Sequence, residues 1–434
     1  MIITPFCTVT VQKGVMITEE DGWVTTTLHS ADWVLPICAA PVRSGAVAVA
    51  EGRVVAVGPR AELRQAYPDV AERSWPGILT PGLINGHTHL NYSHCAHFHG
   101  NGKPFPTWIL DFAPVIAATT PDGWRASAAH GVRQLLATGT TAAADVVTGP
   151  AALTAQRDAG LAGVSYLEAV FHDGRTWPGA RGSWYAALSA GAGISPHTPY
   201  TLDTPVLVDL AAEARARGVR LHPHAAETVQ EVAFTATGSG PFADLARAMG
   251  LELGLVGCGS GRTPVAELDA AGLLGPDSHV AHGIHVSAAD RALLRTRGTV
   301  VALCPRSNAR LESGEAPVAA YRAEGNVVAV GTDSLASVPS LDLLADVAAL
   351  YELARRQGSP AEGLDRWLVE AATVGGARAL GRDDVGVLRP GARADLAVFA
   401  VTGDDPYAAL VHGGEGTCVG TVLAGELAPV GFPA

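Results

Sequence analysis

The sequence predicts an α/β fold: a (β/α)8 TIM barrel with a small β-sandwich satellite domain formed by both termini. Three observations lead there. Between residues 81 and 380, eight short apolar runs alternate with helical stretches. Both ends of the chain read instead as short strands joined by tight turns. The unusual polar residues fall at the C-terminal ends of the eight runs, where barrel enzymes keep their active sites.

Residues 1–80 supply the first part of the satellite. Gly45–Ala50, the turn Glu51-Gly52-Arg53 and Val54–Val57 form a hairpin signal, because a three-residue turn containing glycine joins two apolar runs. Residues 1–22 fit this pattern poorly and read as an extension, with Met16 as an alternative start. The barrel strands are expected at Leu83–His89, Thr141–Val147, Gly163–Val170, Gly193–His197, Arg220–Ala225, His279–Gly283, Thr299–Cys304 and Asn326–Gly331. Helices are expected between them, among others at Trp124–Leu136, Pro205–Arg217, Ala288–Arg297 and Leu341–Arg355. An open doubly wound sheet is the alternative, but no G-x-G-x-x-G opens a helix after the first strand. Residues 381–434 return to strands at Val385–Leu388, Asp395–Phe399 and Thr421–Ala424, and complete the satellite.

The chain of 434 residues is 48% hydrophobic and 17% charged, enough to fill a large core. Its net charge of −12, without a basic run, argues against nucleic-acid polymers as partners. Six cysteines (Cys7, Cys38, Cys95, Cys258, Cys304 and Cys418) form no C-x-x-C pair, so neither a disulfide framework nor a thiolate zinc site is expected. That usage suits a reducing cytoplasm. No apolar run is long enough to span a membrane, and no basic-then-apolar leader is visible. A small-molecule substrate is the expected partner, with a homo-oligomer left open.

His87 and His89 end the first barrel strand, and period-two alternation points both to one side, where they can grip a single ion or lie hydrogen-bonded in the core. The fifth strand offers His222 and His224 on one face. His224 lies nearer the strand's C-terminal end and reads as the third nitrogen ligand, with His222 packed a layer deeper. Glu227 follows at the lip, as a proton carrier or as a helix-start carboxylate. His282 ends the sixth strand, as a site residue or a core histidine. Asp333 ends the eighth, as a ligand or a helix cap. Three imidazoles and one carboxylate suit one divalent ion, Zn²⁺ first, with Fe²⁺ and Mn²⁺ also compatible.

Pro81-Gly-Leu-Ile-Asn-Gly-His-Thr-His89, His224-x-x-Glu227, His282 and Gly331-Thr-Asp333 together resemble the amidohydrolase superfamily, in its cytosine, guanine and S-adenosylhomocysteine deaminase branch. The resemblance spans about residues 33–425. It implies a mononuclear site with His87, His89, His224 and Asp333 on the metal. Glu227, His282 and Asp333 are then the catalytic groups, with Glu227 as proton shuttle and His282 holding water or substrate. Binuclear members bridge two metals with a carboxylated lysine at the end of the fourth strand. The only lysines here are Lys13 and Lys103, and that strand ends in Ser195-Pro196-His197. The resemblance makes His197 a substrate-binding residue and disfavours hydantoinase-, dihydroorotase- and phosphotriesterase-like reactions.

A weaker resemblance refines the substrate. Phe105-x-x-Trp108, Cys304-Pro305-Arg306-Ser307-Asn308 and Asp333-Ser334-Leu335-Ala336-Ser337 look similar to aminodeoxyfutalosine deaminases of menaquinone biosynthesis. This implies conversion of 6-amino-6-deoxyfutalosine to futalosine and ammonia. Phe105 and Trp108 would cover the ring, and His197 and Ser334 would line the pocket. Arg306 would pair with a remote carboxylate or serve as a structural anchor, with Arg310, Arg181 and Arg175 as further candidates. Trp108 also reads as the first core residue of a short helix. The competing readings are guanine or cytosine deamination, triazine dechlorination, cyclic amide hydrolysis and a catalytically silent binding scaffold.

Overall fold

The computed structural model describes residues 26–98 and 105–429, so the extension at 1–22, Met16, Cys7, Lys13 and Lys103 lie outside it. Eight parallel strands occupy the expected segments: β1 (Leu83–Thr88), β2 (Thr140–Val147), β3 (Val164–Ala169), β4 (Gly193–Pro196), β5 (His224–Ala225), β6 (His279–His282), β7 (Val300–Leu303) and β8 (Val328–Val330). They pair as β1-β2-β3-β4 and β5-β6-β7-β8. Both seams are bonded. Ile194 of β4 bridges Leu221, just before β5, and Thr88 of β1 bridges Asp333, just after β8. The N–H of His222 donates to Ile194 O at 3.0 Å, and the N–H of Asp333 donates to His87 O at 3.0 Å. The eight strands therefore close on themselves, and the strand ends that carry the polar residues converge.

β5 is shorter than the expected Arg220–Ala225. Pro223 has no N–H to give to a ladder, so regular pairing survives only at His224 and Ala225. The carbonyl of Pro223 still accepts from the N–H of Ala281 at 3.0 Å. The helices begin on local signals. Thr120 and Asp203 cap the N–H groups of Gly123 and Thr204 with a proline following, and Ser287 forms a capping box with Asp290.

The two chain ends build one sheet, because Ile78–Pro81 pairs antiparallel with Leu396–Phe399. Hydrogen bonding makes this eight-stranded sheet continuous. Its apolar face draws Val34, Val47, Leu79, Leu396, Val398 and Val422 into one core. The hairpin turn is tighter than expected: Ala50 pairs with Arg53, leaving Glu51 and Gly52 as a two-residue loop. Both have positive φ, 50° and 72°, the left-handed pair that matches strand twist in such hairpins. The ends are not purely β, since helices Arg60–Ala66 and Pro406–Gly413 sit among the strands. No helix among the described residues is long and apolar enough to cross a membrane.

One buried imidazole gives this sheet a pH dependence. His29 is 3% exposed, and the Trp75 indole N–H donates to its Nδ1 at 3.2 Å. Burial, with the charge of Arg73 adding, pushes its pKa down to about 4. The unfolded chain, titrating near 6.5, then binds more protons between those values. His29's contribution is complete above pH 6.5 and is lost as the pH falls toward 4, by at most ~3 kcal/mol. Denaturant unfolding at pH 7 and pH 5 should show a smaller pH difference for His29→Gln than for the wild type. Equal differences would remove His29 as the cause.

Candidate metal centre and active site

His87 and His89 point inward together from the end of β1, with ring centroids 5.0 Å apart. The donor atoms of His87, His89 and His224 all lie within 4.8 Å of one another, and so do those of His87, His282 and Asp333. Asp333 Oδ1 stands 3.8 Å from His87 Nε2 and 3.7 Å from His89 Nε2. All five side chains are buried. Burial holds the imidazoles of His87, His89 and His224 below their ordinary pKa, so they are neutral and keep lone pairs. His87 Nε2 and His224 Nδ1 are buried without a hydrogen-bond partner. Such orphaned nitrogens are costly unless something binds them, and three nitrogens with one carboxylate oxygen are a donor set that fits a divalent ion.

The layer beneath sets the direction of the first ligand. His222 Nδ1 lies 3.0 Å from the carbonyl of His279, which can only accept, so this nitrogen carries the proton. Its bare Nε2, 2.8 Å from His87 Nδ1, must then accept from His87. His87 Nε2 is left as a lone pair aimed into the cluster. Asp333 is fixed in a comparable way. Ser307 Oγ and Ser337 Oγ donate to its Oδ2 at 2.5 and 3.2 Å, which leaves Oδ1 facing the same space as the histidine lone pairs. Gly331 lets β8 approach closely, since a Cβ there would lie 2.9 Å from His87 Cβ.

Glu227 faces His282, with Oε1 3.8 Å from Nε2. Burial, and the negative charge of Asp333, hold the Glu227 carboxyl well above the usual carboxylate range. His282 Nδ1 donates to Asn308 Oδ1 at 3.0 Å, which bares Nε2 toward Glu227. Ala226, His282 and Asp333 have left-handed φ of 52°, 71° and 62°, conformations that non-glycine residues adopt at a cost and that gather at functional sites. Glu231 holds the first of these turns, accepting from the N–H groups of Ala226 and Glu227 at 3.0 and 2.8 Å.

Of the expected pocket residues, His197 lies beside the donor cluster. Its ring lies 4.8 Å from that of His224, and its Nδ1 is bonded to Thr201 Oγ1 at 3.0 Å. Ser334 is buried directly after Asp333. Phe105 and Trp108 are both 8% exposed and stacked at 5.9 Å, with Trp108 stacked in turn on Phe112 at 4.7 Å. They belong to an aromatic layer that reaches His89 through Phe112 and Tyr92. Arg306 departs from the expectation of a free carboxylate partner. Its Nε donates to Asp346 at 2.9 Å, and an Nη donates to the carbonyls of Ser340 and Asp342 at 2.8 and 3.1 Å. Asp346 is fully buried, so the pair anchors the seventh loop and the guanidinium has few donors left for a ligand. Arg175 and Arg181 are paired with Glu252 and Asp209, and Arg310 also has a partner.

Sequence reading missed Glu231 and gave no role to Ser307, Asn308 and Ser337, which stand in the quoted motifs; all four orient the central groups. Glu231 had a visible signal, since Thr228-Val-Gln-Glu231 is the spacing of a capping box. Thr228 does cap Glu231 N–H at 3.1 Å, but the glutamate passes over the N–H of Thr228 to those of Glu227 and Ala226.

A family model described as the amidohydrolase family matches residues 78–428. The chain belongs to the amidohydrolase family. It is accordingly a hydrolase of carbon–nitrogen bonds. A short match to an imidazolonepropionase-like composite domain of bacteria covers residues 45–69, in the terminal sheet. Among amidohydrolases, the chain is 32% identical to a 5-methylthioadenosine/S-adenosylhomocysteine deaminase of Haloarcula marismortui, over 77% of this chain and 75% of that one. It is 33% identical to an aminodeoxyfutalosine deaminase of Deinococcus radiodurans, over 78% and 81%. A solved structure of an adenosine deaminase from Xanthomonas campestris with bound zinc superposes with a TM-score of 0.77 at 25% identity, covering 94% of this chain and 93% of that one.

Proposed function

We propose that this amidohydrolase deaminates 6-aminopurine nucleosides, replacing the amine with oxygen and releasing ammonia. The observation that carries the reading is the buried Glu227 carboxyl facing His282 beside the His87, His89, His224 and Asp333 donor set. The deaminase relatives support the same reaction type. A divalent ion held by His87, His89, His224 and Asp333, zinc by its donor set, would supply the Lewis acidity that makes water a nucleophile near neutral pH. Asp333, whose carboxylate Ser307 and Ser337 hold beside the histidine nitrogens, can take a proton from that water. Glu227 keeps its proton to higher pH than an exposed glutamate and can give it to the ring nitrogen as the attacked carbon becomes tetrahedral. His282, with its bare Nε2, accepts a hydrogen bond from the water and orients it. Asp333 then returns that proton to the amine, which leaves as ammonia, while the proton still on the former water oxygen passes to Glu227 as the C=O forms and restores its acid.

Aminodeoxyfutalosine remains a member of this substrate class, supported by the Deinococcus relative. The Arg306 contact expected for its carboxylate is not part of the support, because that guanidinium is bound to Asp346. The deciding assay follows ammonia release and purine absorbance with adenosine, 5′-methylthioadenosine, S-adenosylhomocysteine, aminodeoxyfutalosine, guanine, cytosine and a chlorotriazine. At least one 6-aminopurine nucleoside should exceed guanine, cytosine and the triazine in kcat/KM by ~100-fold or more. A better rate with guanine, cytosine or the triazine overturns the substrate class. No product from any of them, with the metal bound, favours the silent scaffold.

A further inference from the structure

β3 carries a second inward carboxyl that the reaction above does not use. Tyr166 and Glu168 share a face of the strand by its period-two alternation. Tyr166 lies deep, its ring edge-on to those of His222 and His279 at 5.2 and 5.5 Å. Glu168, one layer nearer the C-terminal end, is only 7% exposed. A carboxyl oxygen of Glu168, a nitrogen of His197 and a nitrogen of His224 all lie within 4.8 Å of one another. β5 sits between β4 and β6 in the barrel order, so His224 is flanked by His197 on one side and His282 on the other. Glu168 therefore borders the site on the side away from the Glu227–His282 pair. Its hydrogen-bond partner is Thr148, whose Oγ1 donates to Oε2 at 3.4 Å, and among the described residues it has no arginine or lysine partner. The Tyr92 hydroxyl backs Thr148 in turn. A carboxyl buried at this depth with one long hydrogen bond is costly, and it is best explained by a group that arrives with the substrate.

We propose that Glu168 binds the sugar of the substrate and accepts a hydrogen bond from a ribose hydroxyl. The inference rests on the nucleoside reading above. With the reacting carbon at the His87–Asp333 centre, the exocyclic amine is there as well, and the ring nitrogens of adenine are acceptors. The hydrogen-bond donors left on the nucleoside are the sugar hydroxyls. A carboxyl offers acceptor oxygens whether protonated or not, and Thr148 occupies only part of that capacity. Glu168 is thus a specificity-determining residue that reads the sugar, while Glu227 serves the ring.

The test measures kcat and KM for adenosine, 2′-deoxyadenosine, 3′-deoxyadenosine and 7-deazaadenosine with the wild type, Glu168→Gln and Glu168→Met, together with the zinc content of each. The wild type should lose about tenfold in kcat/KM on one of the deoxy compounds, mainly through KM, as one hydrogen bond predicts. In Glu168→Met that preference should shrink to within about twofold, with kcat for adenosine changed less than threefold and zinc unchanged. Glu168→Gln, which keeps an acceptor oxygen, should retain part of the preference. If Glu168→Met folds poorly or loses zinc, Glu168→Gln decides, and wild-type KM and preference there overturn the proposal. So does a full sugar preference in Glu168→Met, or loss of the 7-deaza penalty in place of the deoxy one. A wild type that deaminates none of these nucleosides, nor 5′-methylthioadenosine, S-adenosylhomocysteine or aminodeoxyfutalosine, overturns the nucleoside reading and this inference with it. A wild type that deaminates them beside unaltered Glu168 variants overturns only the role of Glu168.

Discussion

Glu227→Gln should keep the fold and about one divalent ion per chain and lose turnover by ~10²- to 10⁴-fold, the usual worth of positioned acid–base transfer. The amide has nearly the shape of the acid, and Glu231 binds the backbone N–H of residue 227 and not its side chain, so the turn after β5 is undisturbed. What disappears is the proton that burial and Asp333 keep on the carboxyl. The loss should appear in kcat, with KM changed little, because in the proposed reaction the group acts on the ring as it becomes tetrahedral. The two confounders are separated by measurement: metal content tests the site, and thermal unfolding tests the fold. A Glu227→Gln enzyme within a few-fold of wild type, with its metal intact, would show that another group moves the proton. Glu231 would be the next candidate, since burial pushes its pKa up to about 7 and it lies beside the same turn.

The barrel was legible because parallel strands covered on both faces are near-continuous apolar runs, and the first, fourth, fifth, sixth and eighth of these runs lead into a histidine or an aspartate. His87, His89, His224, Glu227, His282 and Asp333 stood out for that reason, and the structure brings them together. Their supports were not legible. Ser307 and Asn308 lie in the short helix Pro305–Arg310 after β7 and Ser337 follows β8, and only the packing of these segments against each other and against the end of β6 shows that they hold His282 and Asp333. Arg306 is the converse case. It is conspicuous in Cys304-Pro-Arg306-Ser-Asn308, yet its partner Asp346 is 40 residues away on a helix, a pairing that no local pattern reveals. The hairpin at Glu51-Gly52 and the shortened β5 differ from expectation by local backbone chemistry, a turn requiring positive φ and a proline without an N–H.

Replacing the two histidines of the fifth strand should separate ligand from support. His224→Asn removes a nitrogen from the donor set, so the chain purified without chelator should carry well under one ion and show no turnover that added zinc restores at ordinary concentrations. His222→Asn removes no ligand. It breaks the relay in which the His279 carbonyl fixes the His222 proton and His222 fixes that of His87. His87 then loses the partner that keeps its Nε2 bare, and metal affinity should weaken by ~10- to 100-fold, as for other groups that orient a ligating histidine. Near-wild-type kcat should return once zinc is raised to saturation. The comparison therefore rests on a zinc titration followed by activity and by elemental analysis of both variants. Rescue of His224→Asn beside an empty, unrescuable His222→Asn would reverse the assignment and place the ligand a layer deeper. Two ions per wild-type chain would instead rule out a single-metal centre.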